Sequence, residues 1–565
     1  RVRAEAWPQA ENPDEAHDAL LILGLLREDE GAAGHEGQSW TPFLERLREE
    51  RRAGLVALGP ARFWVAAERL RQVLAACPEA VVPAGLVAPE RGPDEAWTPE
   101  SAMKEVVRGR LECTGPITAR ALAERIASPS SGVEGALLAL EAEGCILRGR
   151  FTPGESELEW CDRRLLARIH RLTLNRLRAE IEPVSAAELL RFLVVWQGLE
   201  PETQRKGPEG LRSVIEMLDG FEVPAVAWEA DVLAARVDEY DPIWLDGLCL
   251  SGDVAWGRRP RGEPGTGKIS SGPIRSTPIA LFLREHSAAW LPSIALAESF
   301  EGSAAARQVL DALARQGASF FADIVRRSAL LRSQVADALG ELAAAGLVTS
   351  DSFAGLRSLL RPERQRGRAY RAGNRRRSGS LETAGRWSLR GGDPDAGEAA
   401  ATGTHDTRLE VQARALLRRW GVVFRRILER ESAPAPWRDL ARVYRRWEAR
   451  GELRGGRFVE GFTGEQFALP EAVGLLRSLR RQPPRHARIA ISAADPLNLA
   501  GIVTPGDRVP SIASHRVLLD DGVPVASLEA GRLRRLLPAD ATTPERSLRD
   551  ALLRRRLPPE LRALY

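Results

Sequence analysis

Apolar residues along most of the chain recur at spacings of three and four, which is typical of amphipathic helices. Several stretches share a longer order of helix, turn, second helix, glycine and then short apolar strand segments. The clearest are "GPITARALAERIASPSSGVEGALLALEAEG", "GASFFADIVRRSALLRSQVADALGELAAAG" and "APWRDLARVYRRWEARG". Two helices followed by a two-stranded ribbon make up the winged-helix variant of the helix-turn-helix. The pattern therefore predicts tandem winged helices.

The ends of these stretches align with one another. "EAEGCILRGRF" (141–151) matches "EARGELRGGRF" (448–458), and looser copies are "EERRAGLVALGPARFWV" (49–65) and "ELAAAGLVTSDSF" (341–353). We expect Gly144 and Gly451 to end a helix in the left-handed conformation that glycine adopts readily.

The helical period fades after about residue 485, where β-branched residues alternate with "PGD" and "DDG" turns. We therefore expect a mainly α fold with small β-sheets (α+β), built of tandem winged-helix modules plus a C-terminal β-barrel. The predicted segments are 1–100 (winged-helix-like), 101–180 (winged helix), 181–260 (winged-helix-like), 261–360 (loop and winged helix), 361–405 (linker), 406–482 (winged helix) and 483–565 (β-barrel and helical tail).

The predicted linker has an unusual composition. Its first part, "RPERQRGRAYRAGNRRRSGS", carries eight arginines against one glutamate and almost no aliphatic residue. Such a segment cannot bury enough apolar surface to fold alone. It is interpreted either as a solvated tether or as an electrostatic grip on a nucleic-acid backbone.

Charge and cysteine content narrow the function classes. The 565 residues have a net charge of +4, and arginine supplies 78 of the 81 basic residues, the three lysines being Lys104, Lys206 and Lys268. Arginine suits forked contacts with phosphate and base edges. None of the five cysteines forms a CxxC pair, which favours reduced thiols in the cytoplasm. No apolar run approaches the length of a membrane span, so no membrane partner is expected.

The segment "RGEPGTGKISSGP" (261–273) resembles a phosphate-binding P-loop. A P-loop needs a Ser or Thr after its lysine to reach Mg²⁺ and a helix whose N-terminal amides face the phosphates. Here Ile269 follows Lys268, and Pro273 and Pro278 prevent a long helix. We interpret the segment as a flexible loop and expect no cofactor or metal in this chain.

The predicted wing ribbons carry the candidate DNA-binding arginines. Near the end of another predicted wing strand, a tryptophan is followed by two arginines. The tryptophan could stack on an unpaired base while the two guanidinium groups hold phosphate. The alternative for that tryptophan is a core position, with the arginines solvated. The candidates are Arg148, Arg150, Arg454, Arg457, Trp256, Arg258 and Arg259.

Longer strings resemble the C-terminal region of the bacterial Lhr (large helicase-related) ATP-dependent DNA helicases. They are "AELLRFLVVWQGLE", "WLDGLCLSGDVAWGRR", "AGRWSLR", "LLRRWGVVFRRILERE", "RFVEGFTGEQFALPEAV" and "ISAADPLNLAGIVTPG". The resemblance covers nearly the whole chain. It implies that ATP and Mg²⁺ serve motor domains outside this sequence, with residues 1–75 as the tail end of the helicase core. The opening "RVRAEAWPQA", without Met, also predicts a piece of a longer polypeptide.

The same resemblance implies a scaffold similar to that of AlkZ/YcaQ-type DNA glycosylases. Some Lhr-type C-terminal regions are credited with removing uracil from DNA and with driving oligomer assembly. A glycosylase needs a carboxylate or amide beside a flipped base. Asp495 in "AADPLNL" and Gln197 in "VVWQGLE" are the candidates. Gln197 lacks the Gln-x-Gln or Gln-x-Asp arrangement of the AlkZ-like site, and the alternative for Asp495 is a turn residue that accepts backbone N–H groups.

Three functions therefore stay open. The first is an accessory region of an Lhr-type 3'-5' DNA repair helicase that grips single-stranded or tailed DNA. The second is a uracil-type DNA glycosylase, and the third is a scaffold for a homo-oligomer. For all three we expect a cytoplasmic, nucleoid-associated protein.

Overall fold

The computed structural model divides the chain into two compact units, 1–177 and 178–565. It describes residues 2–35, 37–89, 96–179, 181–259, 273–291, 300, 302–361, 381, 384–390, 405–432, 434–536, 543–553 and 561.

One motif occurs five times in the described chain. In each copy a helix is followed by a short strand, one to three further helices and a two-stranded ribbon. The second ribbon strand lies in the middle of a three-stranded antiparallel sheet, between the short strand and the first ribbon strand. This is the winged-helix arrangement, so the prediction of tandem winged helices is confirmed. We number these copies modules 1 to 5.

The first unit contains modules 1 and 2, which share one apolar core. Helix α1 (Val2–Ala6) opens the unit. Module 1 consists of α2 (Pro13–Leu23), β1 (Leu26–Arg27), α3 (Glu28–Ala33), α4 (Thr41–Glu49), β2 (Ala53–Leu58) and β3 (Ala61–Ala66). After α5 (Leu70–Ala76), module 2 consists of α6 (Pro99–Thr114), β4 (Ile117–Thr118), α7 (Ala119–Arg125), α8 (Ser130–Ala142), β5 (Ile146–Gly149) and β6 (Glu159–Asp162).

Helix α9 (Arg163–Ala179) and helix α10 (Ala186–Trp196) lead to module 3. The module consists of β7 (Arg205–Lys206), α11 (Gly207–Met217), β8 (Glu222–Pro224), a π-helix (Trp228–Leu233), α12 (Ala234–Arg236), β9 (Val237–Asp238), α13 (Pro242–Leu250), β10 (Val254–Gly257) and β11 (Pro278–Leu283). β11 is the middle strand of the sheet and lies beyond the boundary predicted at residue 260.

Module 4 shares an apolar core with module 3. After α14 (Ser287–Trp290), it consists of α15 (Ala304–Gln316), β12 (Ser319–Phe320), α16 (Phe321–Ser328), α17 (Arg332–Ala345), β13 (Val348–Ser350), α18 (Phe353–Leu359) and β14 (Arg386–Leu389). Strand β14 falls within the predicted linker 361–405, and its Trp387 is fully buried. This part of the predicted linker is therefore a structural strand, because Trp387 fills the module core.

Module 5 consists of α19 (His405–Trp420), β15 (Val422–Val423), a 3₁₀ helix (Ile427–Arg430), α20 (Trp437–Ala449), β16 (Arg454–Gly456) and β17 (Gln466–Ala468). Helix α21 (Pro470–Arg480) follows. One apolar core joins α10, module 5 and one face of the sheet that comes next.

The C-terminal segment forms a four-stranded antiparallel meander of β18 (Arg488–Ser492), β19 (Arg516–Asp520), β20 (Val523–Glu529) and β21 (Arg532–Arg535). Helix α22 (Glu545–Leu553) packs on its other face through Leu548 and Leu552. Within the described residues the sheet is open, since β18 and β21 are its two edges. Closure into the expected β-barrel stays a prediction.

The helix that precedes the ribbon, which we call the third helix of each module, ends in the same way in all five copies. These helices are α4, α8, α13, α17 and α20. In module 2 the N–H of Gly144 donates to Glu141 O at 2.9 Å and the N–H of Cys145 to Leu140 O at 3.1 Å. This pair of bonds is the Schellman motif, which satisfies two otherwise unpaired carbonyl groups. The residues in the left-handed position are Arg51, Gly144, Gly252, Gly346 and Gly451. The expectation for Gly144 and Gly451 is confirmed, and module 1 differs by using an arginine.

The loop 261–273 lies almost entirely outside the described residues. No helix in the described chain combines the length and apolar character that a membrane crossing requires.

Candidate nucleic-acid interface

The two candidate catalytic residues lie together in the interior of the second unit, on either side of Arg236. Both Nη atoms of Arg236 donate to the Asp495 carboxylate, at 2.7 and 2.9 Å, and Nη2 also donates to Gln197 Oε1 at 2.8 Å. Asp495 and Gln197 are each 1% exposed and Arg236 is completely buried. Asp495 Oδ1 also accepts the N–H of Leu497 at 2.9 Å.

This arrangement matches the structural alternative for Asp495. Its two oxygens are engaged by a guanidinium group and a turn amide, so no carboxylate oxygen is free to activate water. Gln197 is held at its other end as well, because its Nε2 donates to Arg419 O at 2.9 Å. The geometry therefore favours positioning roles for both residues over the catalytic roles expected from the sequence.

Module 5 holds the Asp495 segment from a second side. Arg430 Nη2 donates to the carbonyl oxygens of Ala494, at 2.9 Å, and Asp495, at 2.7 Å. Burial lowers the pKa of Arg430 to about 10, so the guanidinium stays charged at neutral pH. Arg426 Nε donates to Ile502 O at 3.0 Å. The loop after β18 is thus fixed by side chains from modules 3 and 5.

A second buried carboxylate, Asp219, lies at the end of α11. Its Oδ2 is 2.5 Å from His286 Nδ1, and its Oδ1 accepts the N–H of Leu283 at 3.1 Å. The hydrogen bond that His286 donates to the Asp219 carboxylate raises the pKa of His286, an effect that burial of the ring partly opposes. The backbone carbonyl of Asp219 accepts from Arg419 Nη2 at 2.7 Å.

The predicted cluster of Trp256, Arg258 and Arg259 does not form a stacking platform. Trp256 is 1% exposed and its ring meets that of Trp387 edge to face at 6.1 Å. The stacking role expected for Trp256 is therefore wrong, and the core alternative describes it, because neither ring face is accessible to a base.

The two neighbouring arginines are partly enclosed. The guanidinium of Arg259 lies 5.5 Å from the centre of the Trp290 ring, and burial lowers the pKa of Arg259. The carbonyl of Arg258 accepts from Arg390 Nη1 at 2.6 Å. These arginines support the junction between β10 and module 4.

The wing of module 2 carries Arg148 on β5 and Arg150 just after it. Arg148 is 44% exposed; it lies 3.5 Å from Glu141 and packs over the Trp160 ring at 5.3 Å. Arg150 is exposed. Of the two, Arg150 is the one whose guanidinium is open to a phosphate.

The wing of module 5 carries Arg454 on β16 and Arg457 just after it, and both are exposed. No carboxylate of the described chain lies within ion-pair distance of either guanidinium. Both guanidinium groups are therefore open to an external anion, and DNA binding by them stays a prediction.

Charge separates the five third helices, which are the elements that enter a DNA groove in this fold. Helix α8 has two glutamates and no basic residue, α13 has one aspartate and no basic residue, and α17 has one arginine against two carboxylates. Helix α4 has two arginines and two glutamates, each arginine paired on the helix surface or just beyond it. Only α20 has an excess of basic residues, with four arginines against two carboxylates.

The exposed face of α20 consists of arginine except for Ala449. Its arginines are Arg438, Arg442, Arg445, Arg446 and, just past the helix end, Arg450. Together with Arg454 and Arg457 of the adjoining wing they form the surface that we call the module 5 basic face.

The ion pairs of this face lie at the surface. Arg442 is 3.7 Å from Asp439, Arg445 Nε is 3.0 Å from Glu465, and Arg446 pairs with Glu410. The acidic partners are 28%, 35% and 40% exposed, so these pairs contribute little and exchange readily.

The buried side of α20 is anchored by Glu448. This carboxylate is 4% exposed and accepts Arg178 Nε at 2.8 Å and the Gly455 N–H at 3.1 Å. Glu448 lies on α20 and accepts hydrogen bonds from Arg178 of α9 and Gly455 of β16, so it holds the wing against α20. The basic face is therefore a preorganised surface.

The sequence analysis missed the arginines of α20 itself. The signal was present, since Arg438, Arg442, Arg445 and Ala449 follow helical spacing on one face. The contrast with α8 and α17 required a comparison of all five third helices, and the module 3 copy was visible only in the structure.

Two family models match this chain. Each is described as a winged-helix domain of the large helicase-related protein, and they cover residues 184–283 and 402–488. The first spans α10 and module 3, and the second spans module 5. Fold and matched domains together define a tandem winged-helix protein of the helicase-related class.

Two curated relatives align over most of the chain. "Lhr helicase/ probable uracil glycosylase" of Mycolicibacterium smegmatis is 30% identical over 499 residues, covering 86% of this chain and 32% of that protein. "Lhr helicase/uracil glycosylase" of Escherichia coli is 28% identical over 543 residues, covering 88% and 33%. The chain is similar to the C-terminal region of the Lhr family. It spans about a third of the length of the curated relatives it matches.

Among solved structures, the Streptomyces sahachiroi DNA glycosylase AlkZ aligns with a TM-score of 0.35 and 14% identity. The alignment covers 66% of this chain and 95% of that one.

Removing the Asp495 carboxylate should destabilise the second unit. Asp495→Ala leaves the buried Arg236 guanidinium without its anion, which costs about 3–5 kcal/mol of unfolding free energy. Urea unfolding followed by circular dichroism measures this change. Asp507→Ala, at a 90% exposed carboxylate of the same loop, is the matched control and should change stability by about 0.5 kcal/mol or less. Equal stability of the two variants would contradict a structural role for Asp495.

The pair of His286 and Asp219 should make stability depend on pH. The pKa of His286 is raised in the folded state, so its contribution is fully present below the pKa of the unfolded chain and is lost as pH rises through the folded pKa. The stability difference between the native chain and His286→Asn should therefore shrink from pH 6 to pH 9 in urea unfolding. His405→Asn, at an exposed histidine, is the control. A difference that is constant with pH would argue against the charged pair.

Proposed function

We propose that this chain is the accessory nucleic-acid-binding region of an Lhr-type 3'-5' DNA helicase that works in DNA repair. It would grip single-stranded or tailed DNA for an ATP-driven motor, with ATP and Mg²⁺ bound by that motor. The observation that carries the proposal is the module 5 basic face, seven arginines on one third helix and its wing.

Physical chemistry supports this reading of the face. Arginine binds phosphate through two parallel N–H donors and keeps its charge at any physiological pH. A row of exposed guanidinium groups attracts a polyanion and releases counterions when it binds. The names of the relatives, which include helicase and glycosylase, agree with a DNA-bound, repair-related role.

The wing arginines supply the most direct test. Arg454→Ala/Arg457→Ala should weaken binding of labelled tailed DNA and reduce the slope of log K against log salt by about 1.4–1.8, because two phosphate contacts are lost. Fluorescence anisotropy at several salt concentrations measures both quantities. Arg307→Ala/Arg315→Ala removes two exposed arginines of α15 in module 4 and should leave the slope unchanged. Binding by the native chain that does not vary with salt would reject a phosphate-led grip.

A uracil-type glycosylase is the second candidate, favoured by the names of both relatives. Release of uracil from a defined oligonucleotide by the intact chain tests it. Gln197→Ala is more informative than Asp495→Ala, whose expected loss of stability would remove activity in any case. No release by the native chain would reject this activity.

A homo-oligomeric scaffold is the third candidate. The exposed faces of α8 and α13 include Leu138, Ile243 and Leu250, which are 52%, 65% and 62% exposed, and these faces have no basic residue. Such helices suit protein contacts better than phosphate contacts. A strictly monomeric mass in light scattering would reject assembly by this region. For every candidate we propose a cytoplasmic, nucleoid-associated location.

A further inference from the structure

The module 5 basic face has the dimensions of a groove-binding element. The arginines on and just past α20 run from Arg438 to Arg450, a span of about 18 Å at 1.5 Å per residue. An α-helix with its side chains is about 10–12 Å wide, and the major groove of B-form DNA is about 12 Å wide. The helix therefore fits this groove, and its wing would reach the adjoining backbone.

The arginines at the N-terminal end of α20 are the ones least engaged within the protein. Arg438 has no ion-pair partner in the described chain, and Arg442 has only Asp439 at 3.7 Å. In this fold the N-terminal residues of the third helix approach the base edges. A guanidinium there can donate two parallel hydrogen bonds to guanine O6 and N7.

Among the described residues of module 5, no aromatic ring is fully exposed in the way that single strands use. Binding of unpaired bases relies on exposed rings on which the bases stack. Tyr444 and Trp447 are buried, and Trp437 packs against the rings of Tyr444 and Phe467. Phe462, in the wing loop, is half-buried against Phe424 at 4.8 Å between ring centres. Among the described residues, Phe320 of module 4 is the one large aromatic side chain that is exposed, and it lies outside module 5.

The other third helices of the second unit are not suited to the same task. Helix α13 has no basic residue and α17 has one arginine against two carboxylates, so neither helix offers the net positive charge that attracts phosphate. The charges thus confine groove binding in this unit to one module.

From these observations we infer that α20 binds duplex DNA, with Arg438 and Arg442 at the base edges in the major groove. This inference rests on the proposed nucleic-acid-binding function and specifies its partner: module 5 takes the duplex part of a tailed substrate. The deep, narrow major groove of A-form RNA would exclude the same helix.

Fluorescence anisotropy with the full chain tests the inference with three labelled probes: a 20-base-pair DNA duplex, one of its strands alone, and the RNA duplex of the same sequence. We expect the DNA duplex to bind about tenfold or more tightly than the other two. Arg438→Ala/Arg442→Ala should weaken duplex binding about tenfold or more, whereas Arg307→Ala/Arg315→Ala, with the same loss of charge, should change it less than about twofold.

The conservative variant Arg438→Lys/Arg442→Lys keeps the charge and removes the forked donors. It should retain the salt slope but lose preference for a G·C-rich over an A·T-rich duplex. Circular dichroism confirms that each variant is folded.

The possible outcomes distinguish failure of the duplex inference from failure of the proposed nucleic-acid-binding function. Equal affinity for the duplex and the single strand, with loss in Arg438→Ala/Arg442→Ala, would overturn duplex recognition and leave nucleic-acid binding by module 5 intact. Tight duplex binding that this variant does not affect would overturn the assignment to α20. Failure of the native chain to bind any probe would overturn both the inference and the proposed function.

Discussion

The second unit depends on the buried ion pair between Arg236 and Asp495. Taking both charges out of water costs several kcal/mol for each ion, and the cost is recovered only when the remaining donors and acceptors are satisfied. Here the carboxylate accepts hydrogen bonds from both Nη atoms, and Gln197 and the Val232 carbonyl accept further ones, which leaves Nε as the buried donor of Arg236 without a partner among the described residues. These groups come from module 3, from α10 and from the segment after β18. The pair is therefore favourable only when all three are docked, which makes their assembly cooperative.

In the five modules the backbone arrangement is the same, whereas the exposed side chains of the third helix differ. The same strand order and the same Schellman motif recur, because a helix followed by a ribbon needs a left-handed residue at their junction. The outward face of the third helix is not constrained by that geometry. It is apolar in α13 and basic in α20. Repetition of the fold thus leaves each module free to acquire its own partner.

Local features could be read from the sequence, and long-range ones could not. Helical spacing and the glycines at 144 and 451 predicted the modules, since both express local backbone preferences. The strand around Trp387 was hidden, because its neighbouring segment is rich in arginine and glycine and the strand itself is only four residues long, two of them polar. Trp256 could be a platform or a core residue on sequence grounds, and only its edge-to-face contact with Trp387 decides between them. Likewise, nothing local indicates that Gln197 and Asp495 share one arginine.

The acidic partners on the module 5 basic face are consistent with binding rather than opposed to it. A dense row of guanidinium groups would repel itself in the free protein, and glutamates at its border reduce that repulsion. Because Glu410 and Glu465 remain 40% and 35% exposed, breaking their pairs with arginine costs little. A phosphate that replaces them gains a forked contact without a large penalty, whereas Glu448, buried and bonded to Arg178 and Gly455, cannot be displaced. The depth of each carboxylate therefore separates the charges that hold the helix in place from those that yield to a ligand.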